Sequence, residues 1–87
     1  MNPKIVMYST PYCPFCVRAK QLLEEKQLDF RNIDVQQSPK LRKKMQQMSG
    51  RTSVPQIWCG DVHIGGWTDL AALERSGEFD RMLEAGA

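Results

Sequence analysis

Apolar and polar positions change period several times along this chain. Lys4 to Tyr8 (KIVMY) is a short, β-rich apolar run and predicts a buried central strand. Pro11 ends it. From Pro14 onward Phe15, Ala19, Leu22 and Leu23 recur at helical spacing, while Arg18, Lys20, Gln21, Glu24 and Glu25 fall on the other side. This predicts an amphipathic helix ending near Lys26. A second extended run, DFRNIDV over Asp29 to Val35, follows after a short linker with Phe30, Ile33 and Val35 apolar. Strand, helix and strand then form a βαβ unit whose two strands run parallel.

Ser38 and Pro39 read as an N-cap and a proline at the first helical position, and Gly50 as the stop. Between them Leu41, Met45 and Met48 mark one face, with the two methionines expected as core filler. VPQIWC (Val54 to Cys59) and VHI (Val62 to Ile64), joined by Gly60 and Asp61, predict an antiparallel hairpin. Pro55 conflicts with the first arm, because proline removes a ladder donor and belongs at an edge, an end or a special turn. After Gly65 and Gly66, Thr68 is the expected N-cap of a helix with Leu70 and Leu73 inward, and Phe79, Met82 and Leu83 form a last short helical face. The element order is βαβαββαα, an α/β class with no repeat or low-complexity tract.

Length and charge narrow the function. With 87 residues, 41% of them hydrophobic, the chain is expected to be one domain over residues 1–87 around a modest core. A formal net charge of +2 gives no strong global field for nucleic acid or acidic membranes. The first ten residues hold one lysine and a four-residue apolar run, too short for a signal peptide or a membrane span, so a soluble cytoplasmic protein is expected. Three cysteines are an odd count, and a reducing compartment argues against a structural staple.

The chemistry concentrates in STPYCPFCVRAK, residues 9–20, where Cys13 and Cys16 sit at the junction of strand and helix. Zinc ligation is one reading, since Cys59 and His63 supply a second pair. Against it, the two pairs are much further apart than in ordinary zinc modules, and Cys59 and His63 fall on opposite arms of the hairpin. Cys59 is otherwise a small strand residue and His63 a hydrogen-bonded or exposed one. The reacting-thiol reading explains more. Cys13 immediately precedes the helix, where unpaired N–H groups and the positive end of the dipole stabilise a thiolate. Pro14 costs no hydrogen bond there. Cys16, one turn on, is expected to be buried, protonated and within reach of a mixed disulfide at Cys13. Arg18 and Lys20 add positive charge or form a solvated helix face. A CxxC that follows a strand and opens a helix in a βαβ unit is a thioredoxin-like redox signal. In that fold a proline beside the reactive cysteine is cis and offers its strand edge to an extended substrate, which gives Pro55 a use.

On these residues the chain resembles the dithiol glutaredoxins, in particular the bacterial glutaredoxin 3 type, from Lys4 to about Leu83. The carrying motifs are CPFC (Cys13 to Cys16, where CPYC is usual), VRAKQLL after it, SGRTSVPQIW (Ser49 to Trp58) and HIGGWTDLAAL (His63 to Leu73). The resemblance implies a thioredoxin fold with a four-stranded mixed sheet flanked by helices, a glutathione-dependent thiol–disulfide oxidoreductase, and glutathione as co-substrate with no tightly bound cofactor or metal. It implies Cys13 as the nucleophile and Cys16 as the resolving thiol. Glutathione would be held by Phe15, by Arg42 at its glycyl carboxylate, by the strand edge of Val54 and Pro55, and by Trp67, Thr68 and Asp69 at its γ-glutamyl end. The last placement also follows from a helix N-terminus after two glycines, a ready carboxylate site. Oxidised or glutathionylated proteins, ribonucleotide reductase among them, are the implied partners, and a monomer the implied state.

Four positions depart from the family pattern. Thr10 stands where a lysine or arginine is frequent, which leaves a carboxylate contact missing or passes it to Arg42 or Arg51; Tyr12 stands for a smaller residue, Phe15 for tyrosine and Trp67 for a frequent cysteine. These bear on affinity rather than on the reaction. Two other readings keep the fold. One is a redoxin fed by thioredoxin reductase, against which the Thr68 and Asp69 cap argues. The other is a protein whose protomers bridge an iron–sulfur cluster through Cys13 and glutathione, against which the stiffening Pro14 argues.

Overall fold

The computed structural model describes residues 3–85. Among them the order is β1 (Ile5–Ser9), α1 (Pro14–Glu25), β2 (Phe30–Asp34), α2 (Pro39–Ser49), β3 (Gln56–Cys59), β4 (Val62–Gly65), α3 (Trp67–Ser76) and α4 (Glu78–Glu84). The expected βαβαββαα order is the observed one. The strands form one sheet in the order β2-β1-β3-β4, with β1 parallel to β2 and antiparallel to β3, and β3 antiparallel to β4.

Alternation along β1 and β3 divides the core between the two faces of this sheet. Ile5, Met7, Ile57 and Cys59 point to one face, where they pack with Ala19 and Leu23 of α1, Leu70 of α3, and Phe79 and Leu83 of α4. Tyr8 and Trp58 point to the other, where Met45 of α2 and Val35 cover them. The near-continuous apolar reading of KIVMY is thus that of a central strand covered on both sides. Met45 is core filler as expected, but Met48 is 47% exposed. It sits at the rim of this face, lining a shallow pocket with Val6, Tyr8 and Trp58.

Of the boundaries that differ from the sequence reading, three have a local reason. The third strand begins at Gln56, so Pro55 precedes the ladder and removes no donor from it; this resolves the conflict noted above. Thr68 is not an N-cap. The helix already starts at Trp67, with Gly66 in the cap position and the Asp69 carboxylate reaching back to accept from the Gly66 N–H at 2.9 Å. That is the return half of a capping box, and it makes a hydroxyl one residue later unnecessary. The first strand runs one residue past Tyr8, to Ser9, because β2 extends opposite it to Asp34. Ser38 and Gly50 cap α2 as expected, the serine hydroxyl accepting from the Leu41 N–H at 3.2 Å and the glycine sitting at φ 71°.

Candidate active site

The parallel strand β1 delivers the chain to residues 10–12, and Cys13 follows with extended φ and ψ in the N-cap position of α1. An N-cap side chain normally offers oxygen to the free N–H groups of the first turn. Here sulfur takes that place, accepting from the backbone N–H of Cys16 at 3.2 Å. No acidic residue lies in the first turn to oppose negative charge there, and Pro14 occupies the first helical position without a lost donor. On its other side the Cys13 sulfur lies 3.6 Å from the Val54 carbonyl, to which its thiol form donates. The sulfur is therefore placed between the start of a helix and the segment that enters β3.

Cys16 is in a different setting. It is 4% exposed and belongs to the inward face of α1, beside Ala19 and Leu23. Burial and the hydrogen bond with Cys13 push its thiol up to about 12. One cysteine is partly exposed and accepts from a backbone N–H; its neighbour stays protonated. The third, Cys59, is fully buried in the core, and burial raises its thiol as well. All three are unpaired.

Beside Cys13 lies a groove of about 220 Å³ lined by Phe15, Arg51, Ser53, Val54, Pro55, Gly66, Trp67, Thr68 and Asp69. Six of the residues singled out for glutathione in the sequence are thus brought together from three separate stretches of chain. The Val54–Pro55 peptide bond is cis. Phe15 is half exposed, with the Arg18 guanidinium 5.9 Å from its ring centroid. Arg42 is not among the groove-lining residues. It lies in the first half of α2, and the arginine that reaches the groove is Arg51, one of the two positions expected to take over from Thr10.

Arg51 is held by Asp69, whose carboxylate accepts from the guanidinium Nη1 at 2.8 Å and from the Gly66 N–H. These two donors hold the Asp69 carboxyl below its ordinary range, the arginine contributing most. Gly65, at φ 116°, makes the arrangement possible, since a Cβ there would run into the Asp69 carboxylate and crowd the Arg51 guanidinium. The groove therefore ends on one guanidinium and on the first turn of α3, both suited to carboxylates. Sequence reading left Arg51 as a substitute because its value depends on a partner 18 positions away.

The zinc alternative has no geometry here. Cys59 is in the core and His63 is bonded to Gln56 at 2.8 Å, and among the described residues no three His, Cys, Asp or Glu side chains gather for a metal ion.

Comparison with known proteins decides the family. The glutaredoxin family model matches residues 5–64, well over half of the chain. The chain belongs to the glutaredoxin family. It is 49% identical over 83 residues to the glutaredoxin of Pseudomonas aeruginosa, spanning 95% of this chain and 99% of that one. With glutaredoxin 3 of Escherichia coli K12 it shares 40% identity over 80 residues, 92% of this chain and 96% of the relative. Among solved structures, the glutaredoxin of Brucella melitensis superposes with a TM-score of 0.86 at 45% identity, covering 99% of this chain and 94% of that one. A buckwheat glutaredoxin solved in complex with glutathione superposes equally well, TM-score 0.86, at 29% identity over 97% of this chain and 78% of its own. Glutaredoxin membership and the Cys13–Cys16 pair make this protein a thiol–disulfide oxidoreductase with a thioredoxin-type fold. No helix among its described residues is long and apolar enough to cross a membrane.

Proposed function

We propose that the protein reduces glutathione-containing mixed disulfides and protein disulfides at the expense of glutathione, with Cys13 as the nucleophile. The observation that carries this is the juxtaposition at Cys13. Its sulfur faces the Cys16 N–H at 3.2 Å and the Val54 carbonyl at 3.6 Å, at the mouth of a groove that ends on Arg51 and α3.

In the first step the Cys13 thiolate attacks the glutathione sulfur of a protein–glutathione disulfide. A Cys13–glutathione disulfide forms and the substrate leaves as thiolate, which takes a proton from solvent. A second glutathione thiolate then attacks that disulfide, releasing glutathione disulfide and restoring the Cys13 thiolate. For a protein disulfide, Cys13 first forms a mixed disulfide with one substrate cysteine; Cys16 then loses its proton and attacks the Cys13 sulfur, releasing that substrate thiolate and giving the Cys13–Cys16 disulfide, which two glutathiones reduce to the dithiol as they become glutathione disulfide. The backbone at Val54 and Pro55, just ahead of β3, pairs with the cysteinyl part of glutathione. Trp67, Thr68 and Asp69 at the start of α3, with Arg51 beside them, hold its γ-glutamyl end, the backbone N–H groups of that turn facing its carboxylate. Phe15 packs on one side. Arg42 is assigned the glycyl carboxylate by family position alone.

The reaction belongs to a cytoplasmic, monomeric, single-domain protein that exchanges with the glutathione pool at about −200 to −230 mV. Its substrates are oxidised or glutathionylated proteins, ribonucleotide reductase being the one that the family resemblance suggests. Turnover of a glutathionylated peptide coupled through glutathione reductase to NADPH oxidation tests the reading. Activity that survives undiminished in Cys13→Ser overturns it, as does a parent protein that turns over only with thioredoxin reductase.

A further inference from the structure

Gln56, the first residue of β3, is fully buried, a setting in which a primary amide is stable only with its hydrogen-bonding groups satisfied. Its Nε2 donates to the Ser53 carbonyl at 3.0 Å and to the Ser53 hydroxyl at 3.3 Å. Its Oε1 lies 2.8 Å from Nε2 of His63. Chemistry fixes the direction of this chain. The Ser53 carbonyl can only accept, so the NH2 of Gln56 faces it and the amide oxygen is left for His63. That oxygen also only accepts, so His63 carries its hydrogen on Nε2. The neutral Nε2–H tautomer and the imidazolium both keep this donor.

His63 is itself held. It pairs with Trp58 across β3 and β4, and its ring lies 4.7 Å from the indole at 35°. Trp58 in turn meets Tyr8 edge-on at 5.4 Å, which ties the histidine to the central strand. At the other end of the chain, Ser53 is one residue from Val54, whose carbonyl faces Cys13, and Ser53, Val54 and Pro55 all line the groove.

We propose that His63 and Gln56 are positioning residues, a brace that runs from β4 through the buried amide to Ser53. It holds the Ser53–Pro55 segment at the distance from Cys13 that an extended thiol substrate requires. Neither side chain lines the groove, so their effect is on binding through the segment they hold. The functional part rests on the reading given under Proposed function.

The test uses His63→Phe and Gln56→Leu, which keep bulk but remove the donor and the amide, together with His63→Gln, which restores a donor at the ε position. Loss of one net hydrogen bond predicts a rise of about three- to tenfold in KM for a glutathionylated peptide in His63→Phe and Gln56→Leu, with kcat nearly unchanged. The double variant costs no more than the worse single one, because both break the same chain. His63→Gln recovers most of the loss. Unchanged KM in His63→Phe, or a His63→Gln as impaired as His63→Phe, overturns the brace. So does a loss that tracks the melting temperature and falls on kcat. Backbone order at Ser53 and Val54, measured by 15N relaxation in the resting reduced protein, separates this from the function itself. It must fall in His63→Phe whether or not the parent turns over glutathione, and equal order parameters in parent and variant overturn the brace even if the enzyme is active.

Discussion

The sulfur of Cys13 and the backbone N–H of Cys16 lie 3.2 Å apart, so a helix cap and a redox pair are built from the same two residues. The cap gives Cys13 a donor suited to an anion, while the turn of helix between them carries the Cys16 thiol into the core, where burial holds it at about 12. This asymmetry predicts that Cys13 reacts first. At pH 7.5 the reduced native protein should therefore take up one equivalent of iodoacetamide, at Cys13. Cys16 and Cys59 should react only after unfolding in guanidinium, and mass mapping of the alkylated peptides checks both. Equal modification of Cys13 and Cys16 in the native state contradicts the division of roles.

Replacing each cysteine separates the two reactions. Cys13→Ser should lose at least about a thousandfold in turnover, because a serine hydroxyl is almost wholly protonated where a thiolate is needed. Cys16→Ser should keep reduction of glutathione mixed disulfides, in which glutathione resolves the adduct, and lose reduction of protein disulfides that require the intramolecular attack. Paired assays on a glutathionylated peptide and on a disulfide-bonded protein check this.

Burial of Cys16 also makes the fold sensitive to base. The thiol is raised in the folded state from an ordinary 9.0 to about 12, so the native protein holds that proton more tightly than the unfolded chain. The associated stability is complete below pH 9 and is lost as pH rises from there through about 12. The slope is about 1.4 kcal/mol per pH unit for one such thiol. Cys59 adds to it in the same direction. Urea unfolding at stepwise pH above 9 should show this fall, and Cys16→Ala should make it shallower.

Asp69 behaves in the opposite sense. Arg51 and the Gly66 N–H hold its carboxyl below the usual 3.8, so the stability from this contact is present above that pH and fades as pH falls through the lower folded value. Carboxyl titration by NMR should find the Asp69 midpoint below 3.8 in the parent and moved back toward it in Arg51→Met. An unmoved midpoint means that the ion pair is absent in solution. The same variant should bind glutathione more weakly if Arg51 serves the groove.

Away from the groove, Lys26 ties three helices together. Its ammonium reaches Glu74 of α3 at 2.9 Å and Asp80 of α4 at 2.6 Å, and only 17% of its side chain is exposed. Lys26→Met should cost about 1 kcal/mol in urea unfolding, near the top of the range for ion pairs that are partly solvated. Asp80→Asn should cost less, because that carboxylate is more than half exposed.

What this sequence determined by itself was most of what depends on neighbours along the chain, the α3 cap expected at Thr68 excepted. Apolar period named each strand and helix, Ser38 and Gly50 bounded α2, and the place of Cys13 at the start of a helical pattern was enough to read a reacting thiol. These features are local because a helix repeats within four residues and a strand within two. Only the tertiary structure decided which side chains meet across the sheet. Arg51 rather than Arg42 came to the groove, and Gln56, unremarked in the chain, proved to be the buried link between His63 and Ser53. The Arg51–Asp69 and Gln56–His63 contacts join residues 18 and 7 positions apart. Strand register and helix placement set their distance, and no period in the sequence records it.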